Sequence, residues 1–328
     1  MLFVKNFLLN RLKINILLSF FFIITSCNNE ESLLSQTGLT NQNINYDQIN
    51  REFILYVPPN YNSSINYPIL FNLHGGASMA QDYMEYVSDM RSIADNENFI
   101  LVYPQATSDS RGDPTWHLGG ENSKSTEVND VGFIGKIIDE LSSIYSVDQK
   151  RIYVCGFSNG AYLAYEIACL MNDKIAGIGV VAGHMFIDTF NSCSPSHPTP
   201  IINIHGTEDN YDGIGSYYIS QENSNAYWVS FNSTNSSPVI SQIDNINTSD
   251  GSTVEHYSWK NGTNGTSVEH YKIIGGGHSW PNISSNSNSI KGYSNGDIDA
   301  NQLIWNRFIP RSLATKLMRK IQEKNRNS

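Results

Sequence analysis

The sequence predicts an α/β fold with a mainly parallel β-sheet and helices on both faces. Two observations indicate this class: short strand-like segments are apolar throughout, and amphipathic helical segments alternate with them. Strands without a polar face must be buried on both sides, which places helices above and below the sheet. With 328 residues, 40% hydrophobic and 16% charged, the chain can form one large globular domain.

Strand-like and helical segments alternate from about residue 51 to residue 204. Apolar runs predict strands, and amphipathic spacing predicts the helices between them. The expected strands are 53–57, 68–73, 99–103, 151–155, 175–181 and 200–204, and the expected helices are 79–95, 131–145 and 158–171.

The chain after residue 204 is less regular. The Asn/Ser-rich stretch 220–252 contains Trp228 in a short amphipathic pattern and is interpreted as a helix followed by a surface loop. Residues 254–259 and 268–274 alternate like a pair of strands joined by a Gly/Asn turn. A last helix is expected over 297–308.

The first 26 residues are typical of a lipoprotein signal peptide. Basic residues precede an apolar run, 14–24, that is too short to span a bilayer of about 30 Å. The run ends in Ile-Thr-Ser-Cys, which resembles the bacterial lipobox, so we expect Cys27 to be diacylated and to become the new N-terminus after cleavage. The alternative is an ordinary signal peptide with a chance cysteine. Either reading predicts export, and the lipobox predicts a membrane-anchored lipoprotein at the cell surface, in the periplasm or outside the cell.

Residues 27–50 are rich in Asn, Gln and Ser and predict a flexible tether. The domain is expected over 51–312, followed by a basic tail, 313–328, for which a solvated terminal helix is favoured over a partner-binding role. The net charge of −10, without a block of Lys or Arg with interleaved aromatic residues, argues against nucleic-acid binding.

Three cysteines follow Cys27, and an oxidising compartment would permit a disulfide. Cys155 lies in an apolar strand-like run and is expected to be a buried free thiol. Cys169 and Cys193 are the favoured pair, although the residues alone leave the connectivity open.

The run Gly156-Phe157-Ser158-Asn159-Gly160 follows a predicted strand and precedes a predicted helix. In the GxSxG pattern the two glycines permit a sharp turn that exposes the serine hydroxyl, so Ser158 is the candidate nucleophile. The backbone N–H of Asn159, first in the helix, would point at the oxyanion that forms when Ser158 attacks a carbonyl group.

A second oxyanion donor should come from Leu73-His74-Gly75-Gly76-Ala77, which follows another predicted strand. We expect the N–H of Gly76 to serve, with that of Ala77 as the next choice. The alternative is a glycine turn needed only for packing. His74 is interpreted as a structural hydrogen-bonding residue.

A general base and an acid follow the serine in the order that this arrangement requires. Asp209 comes directly after a predicted strand and is the candidate acid, with Glu208 and Asp212 as fallbacks. His278 follows the glycine run after the last predicted strand and is the candidate base.

The other histidines have less specific interpretations. His205 directly follows a strand and is expected to be structural, whereas His256 and His270 are expected to face solvent. No spacing of Cys, His and carboxylate residues matches a metal site, so neither a metal nor another cofactor is expected.

Six sequence motifs of this chain resemble those of a known family, the poly(3-hydroxybutyrate) depolymerase-like esterases. That family is related to the feruloyl and acetylxylan esterases of carbohydrate esterase family 1. The resemblance spans roughly residues 51–308. Its motifs are LHGG at 73–76, NDVGFIGKIID at 129–139, VDQKRIYVCGFSNGAYLAYEIAC at 147–169, HGTED at 205–209, GGGHSWP at 275–281 and DIDANQLIW at 297–305.

The resemblance implies the α/β-hydrolase fold and a Ser158–Asp209–His278 triad, and it favours a Cys169–Cys193 disulfide. It further implies that Trp116, Asp130 and Trp280 shape the substrate cleft. This sequence departs from the family after Asp209, where a Val- and Pro-containing segment is usual and 210–213 is Asn-Tyr-Asp-Gly.

The expected function is therefore hydrolysis of an ester substrate, with feruloyl or acetyl esters of polysaccharides favoured over poly(3-hydroxybutyrate) or hydroxyalkanoate oligomers. A serine peptidase on the same fold is a rival enzyme. A surface lipoprotein that binds glycan without turnover is the rival from another class.

Overall fold

The computed structural model describes residues 36–118, 128–209, 217–282 and 292–308. The strands in these ranges are β1 Gly38–Tyr46, β2 Ile49–Val57, β3 Tyr67–Leu73, β4 Ile100–Pro104, β5 Val147–Phe157, β6 Gly177–Val181, β7 Ile201–Gly206, β8 Val239–Gln242, β9 Thr253–Trp259 and β10 Val268–Ile274. The helices are α1 Ala80–Tyr86, α2 Arg91–Glu97, α3 Asp130–Ile144, α4 Asn159–Leu170, α5 Ile187–Ser192, α6 Gln221–Phe231 and α7 Ala300–Phe308.

These strands form one sheet in the order β1-β2-β4-β3-β5-β6-β7-β10-β9-β8. The six central strands from β4 to β10 are parallel, and antiparallel strands extend the sheet at both edges. All side chains of β3, β4 and β6 are buried, as expected for strands covered on both faces.

Two hydrophobic cores lie on opposite faces of the sheet. One contains the apolar side chains of α3 and α4 together with Trp228 of α6, and the other contains those of α1, α2 and α7. The predicted α/β fold with helices on both faces of a mainly parallel sheet is thus confirmed. No helix among the described residues is long and apolar enough to cross a membrane.

Three boundaries differ from the sequence prediction. The tether predicted over 27–50 is wrong from residue 38 onward, because Gly38–Tyr46 forms the edge strand β1 paired along its length with β2. Its Asn and Gln residues look like linker composition, yet every second side chain turns inward and Ile44 is buried. The turn to β2 places Asp47 and Gln48 at φ of 51° and 63°, as a two-residue hairpin requires.

The single helix predicted over 79–95 is two short helices, α1 and α2. Ser88 lies between them, where its buried hydroxyl accepts from Asn72 Nδ2 at 2.7 Å and donates to Asn301 Oδ1 at 2.7 Å. The surface loop predicted after α6 contains β8, all four side chains of which are exposed. Neither the break between α1 and α2 nor the strand β8 is marked by a regular spacing of apolar residues, so the sequence could not predict them.

Candidate active site

The turn of the candidate nucleophile, residues 156–160, which we call the nucleophile turn, joins β5 to α4 at the carboxyl edge of the sheet. Ser158 adopts φ 53° and ψ −117°, a strained conformation for a residue with a side chain. Its backbone N–H donates to the carbonyl of Val181 at 3.0 Å, and its carbonyl accepts from the N–H of Ala161 at 2.9 Å. These bonds hold the strained turn, which leaves the Ser158 side chain at the end of a central strand.

The two flanking glycines are needed because backbone segments meet at this turn. A Cβ on Gly156 would overlap the backbone of Gly160. A Cβ on Gly160 would overlap the carbonyl of Leu73 and lie 2.6 Å from that of His74. The pattern of small residues therefore lets α4 approach the loop that follows β3.

The candidate acid and base come from the two strands beyond β6. Asp209 follows β7 and His278 follows β10, and each carboxylate oxygen of Asp209 lies 3.0 Å from Nδ1 of His278. A carboxylate can only accept, so Nδ1 carries the proton and Nε2 remains the basic nitrogen. The Asp209 side chain is fully buried, whereas Glu208 is exposed. Asp212 and the departure at 210–213 lie outside the described residues.

Close backbone packing sets the position of this pair. A Cβ on Gly206 would overlap the carbonyl of Gly276, and the N–H of Glu208 donates to that carbonyl at 2.8 Å. The His278 ring in turn contacts the ring of Phe157, with centroids 4.9 Å apart. Because Phe157 precedes Ser158, the candidate base lies beside the nucleophile turn.

The loop after β3 lies against the same turn. A Cβ on Gly75 would stand 3.5 Å from Ser158 Cβ, and one on Gly76 would stand 3.6 Å from Asn159 Cβ. The N–H of Ala77 donates to the carbonyl of Pro114 at 2.7 Å and so is not available to an oxyanion. Of the two predicted loop donors, Gly76 therefore stays the candidate.

His74 holds this loop in place, as its structural interpretation requires. Its Nδ1–H donates to the carbonyl of Gly75 at 2.7 Å, and its Nε2 accepts from the N–H of Ala106 at 3.1 Å. The ring is fully buried. Burial, which penalises the charged form, lowers the pKa of His74 to about 4.

The predicted cleft residues support the site from beneath instead of lining it. Trp116 is 1% exposed; its Nε1–H donates to the carbonyl of His74 at 2.8 Å, and its backbone N–H donates to Asn159 Oδ1 at 2.7 Å. Trp280 is 4% exposed and packs edge-on against Phe157. A substrate could not reach either ring, so the cleft role predicted for them is wrong in this structure.

Asp130 is likewise buried, in an ion pair with Arg51 at 2.6 Å. Its second oxygen accepts from the backbone N–H of His117 at 2.7 Å, so it positions the segment that carries Trp116. The cleft role implied for Asp130 is replaced by this structural one.

Behind Asp209 lies a layer of polar side chains that the sequence did not reveal as a group. His205 Nε2 is 3.8 Å from Asp209 Oδ2. On its other side, Nδ1 of His205 lies 3.2 Å from Gln221 Nε2, which also approaches Nδ1 of His184 at 3.1 Å. The amide nitrogen of Gln221 can only donate, and it also donates to the carbonyl of Gly183 at 2.6 Å, so its second hydrogen is shared between the two histidine nitrogens.

Burial lowers the pKa of His205 to about 3, so its ring is neutral near pH 7. The His270 ring is 7% exposed and its pKa is also lowered to about 3 by burial, so the solvent-facing position predicted for it is wrong. His256 is half-buried and pairs with Glu269. Gln221 opens α6 after the Ser220 cap, and no local pattern marks it as a partner of the site.

Cys169 and Cys193 form a disulfide, the pair that the resemblance favoured. Cys155 is a buried free cysteine, and burial raises the pKa of its thiol above the usual range, so it stays protonated. Within the described ranges, no three His, Cys, Asp or Glu side chains are grouped to hold a metal ion.

The known proteins to which this chain is similar include esterases. The Phospholipase/Carboxylesterase family profile matches residues 116–238. The chain is 32% identical over 161 residues to a bifunctional acetylxylan esterase/xylanase of Neocallimastix patriciarum, covering 48% of this chain and 21% of that protein. It is 30% identical over 162 residues to feruloyl esterase B of Piromyces equi, covering 49% and 29%.

A poly(3-hydroxyalkanoate) depolymerase C of Paucimonas lemoignei is 26% identical over 118 residues, covering 36% of this chain and 28% of that protein. The chain thus spans less than a third of the length of each of these three relatives. Among solved structures, an acetyl xylan esterase from Aspergillus awamori has a TM-score of 0.56 at 15% identity, covering 73% of this chain and 94% of that one. The names of the relatives confirm the resemblance stated from the motifs, and the structural likeness supports the fold.

Proposed function

We propose that the protein is an exported serine carboxylesterase with the triad Ser158, His278 and Asp209. The observation that carries the proposal is the Asp209–His278 hydrogen bond beside a strained serine turn at the end of β5. A serine hydroxyl is a weak nucleophile unless an oriented base removes its proton, and a buried carboxylate supplies that orientation.

The reaction follows from the positions of these groups. Nε2 of His278 takes the hydroxyl proton as Ser158 Oγ attacks the ester carbonyl, and the oxyanion accepts hydrogen bonds from the N–H groups of Asn159 and Gly76. The tetrahedral intermediate expels the alcohol, which takes the proton from His278, and leaves an acyl-serine. Water activated by His278 then releases the acid and restores the hydroxyl. Asp209 stays ionised and stabilises the imidazolium.

Feruloyl or acetyl esters of polysaccharides are the proposed substrates. The names of the two relatives at 30% and 32% identity support this class. Short hydroxyalkanoate esters are the second candidate, supported by the relative at 26% identity. Methyl ferulate, acetylated xylan and a hydroxybutyrate oligomer, compared for kcat/KM, will rank the three classes.

Substitution Ser158→Ala tests the chemistry. We expect p-nitrophenyl acetate hydrolysis to fall by about 10⁴-fold or more, because the nucleophile is lost while the fold remains. Ser143→Ala, at an exposed position on α3, is the matched control and should retain full activity. Equal activity in the Ser158 variant would refute the triad. A fluorophosphonate probe separates a catalyst from a glycan binder, since only an activated Ser158 should form the adduct.

The membrane anchor is a separate part of the proposal. Cys27 lies outside the described residues. The anchor is supported by the signal-peptide pattern, together with a disulfide that suits an oxidising compartment. We expect the Cys27→Ala protein to move from the detergent phase to the aqueous phase in detergent partitioning. Retention of that variant in the detergent phase would contradict acylation at Cys27.

A further inference from the structure

A groove of about 660 Å³ lies between α6 and the antiparallel edge of the sheet, apart from the nucleophile turn. Its floor consists of side chains that share one face of β9 and β10, since Tyr257 is paired with His270 and Trp259 with Val268. Ala226 and Val229 of α6 form one wall. A volume of this size lies within the range of about 300–1,000 Å³ that is typical of small-ligand sites.

Two aromatic rings lie side by side on this floor. Tyr257 and Trp259 are two residues apart on β9, their ring centroids are 6.1 Å apart, and the ring planes differ by 22°. The Tyr257 hydroxyl donates to Glu255 Oε2 at 2.8 Å, which fixes the orientation of that ring. Both rings are half-buried. Together they form a nearly flat apolar surface on which the C–H face of a pyranose ring can pack.

The margin of the groove is polar without being strongly charged. Hydroxyl side chains border it at Ser230, Ser233, Thr234 and Ser236. The charged residues Lys272 and Glu222 both line it, so their charges offset each other. Since the whole chain has a net charge of −10, an anionic polymer is disfavoured. An apolar platform ringed by hydroxyl groups suits a neutral sugar, which has apolar faces and polar edges.

The groove adjoins the surroundings of the catalytic acid. Glu222, His270 and Lys272 also line a second cavity of about 250 Å³ that reaches His205 and Asp209. A ligand in the groove therefore lies next to the cavity that His205 and Asp209 line.

We propose that the groove between α6 and β9–β10 binds a segment of neutral polysaccharide through Tyr257 and Trp259, and so holds the polymer that bears the ester. This inference rests on the proposed esterase function and adds a binding site that is separate from the triad.

The test measures binding in the Ser158→Ala protein, so that turnover cannot interfere. Xylohexaose should bind in isothermal titration calorimetry, and the added substitution Trp259→Ala should weaken its affinity at least tenfold. Tyr86→Ala, at an aromatic residue 79% exposed on α1, is the matched control and should leave the affinity unchanged. Ser230→Trp, which fills the groove from the exposed face of α6, should also weaken binding and serves if the Trp259 variant does not fold.

Activity in an otherwise unchanged protein gives the second readout. Trp259→Ala should raise KM for acetylated xylan at least fivefold and leave p-nitrophenyl acetate hydrolysis unchanged. Absence of xylohexaose binding, equal affinity in the variants, or binding of free ferulate in place of xylohexaose would each overturn the proposal. If the protein hydrolyses no ester, the esterase proposal fails, whereas the calorimetry still decides whether the groove binds glycan.

Discussion

The buried ring of His74 should make the protein sensitive to acid. Burial lowers the pKa of His74 from 6.5 to about 4 in the folded state, whereas the unfolded chain regains the ordinary value. Below pH 6.5 the unfolded state therefore binds more protons than the folded state, and the free energy of unfolding decreases as the pH falls. The loss continues down to about pH 4, where the folded protein also takes up the proton.

The size of this effect follows from the pKa difference. Each pKa unit corresponds to about 1.4 kcal/mol, so the interval from 6.5 to about 4 amounts to about 3.5 kcal/mol in total. Between pH 7 and pH 5 the His74 contribution to stability should fall by about 2 kcal/mol. The structural cause is specific, because Nε2 accepts from the N–H of Ala106 and cannot do so once it is protonated.

The assay is urea unfolding of the wild type and His74→Gln at both pH values, followed by tryptophan fluorescence. Other groups titrate in both proteins, so the difference between them isolates His74. We expect the advantage of the wild type over the variant to shrink by about 2 kcal/mol from pH 7 to pH 5. The same difference at both pH values would refute the assignment of a neutral, acid-sensitive His74.

Three further predictions concern the turn, the acid and the disulfide. Gly160→Ala should lower stability by about 3 kcal/mol or more, because its Cβ meets backbone that cannot move aside; urea unfolding measures this, and an unchanged midpoint would contradict it. His205→Ala should lower kcat roughly ten- to hundredfold with KM nearly constant, and His205→Asn should recover part of the loss; steady-state kinetics that show KM alone changing would exclude a role in positioning Asp209. Replacement of Cys169 and Cys193 by serine should cost about 3.5 kcal/mol for a sequence separation of 24, and chemical denaturation that shows no loss would contradict the constraint on the unfolded chain.

Much of the fold could be predicted because it depends on strong periodic signals. The central strands are apolar on both faces, and few folds other than a parallel sheet between layers of helices bury both faces of such strands. The edge strands β1 and β8 carry weak signals, since one or both of their faces meet solvent. Their pairing partners, more than their own composition, make them strands.

The difference between strong periodic signals and contacts with distant partners also explains which site residues could be predicted from the sequence. Ser158, Asp209 and His278 each follow a strand, and the ends of neighbouring parallel strands meet at one edge of the sheet. Their approximate location therefore follows from topology alone. Whether an aromatic residue near that edge lines a cleft or lies beneath it depends on packing between distant segments, and on this point the predictions for Trp116 and Trp280 were wrong.

Whether a backbone N–H group is free to bind an oxyanion also depends on contacts with segments that are distant in the sequence. The N–H groups of Gly76 and Ala77 are adjacent in the sequence, yet the carbonyl of Pro114 engages only that of Ala77, and this leaves Gly76 as the proposed oxyanion donor. The surroundings of Asp209 depend in the same way on α6, which brings Gln221 against His205. Since α6 also forms a wall of the aromatic groove, substitutions on its two sides should separate catalysis from glycan binding. Changes at Gln221 should affect kcat for small and polymeric esters alike. Ser230→Trp should affect only the hydrolysis of polymeric esters.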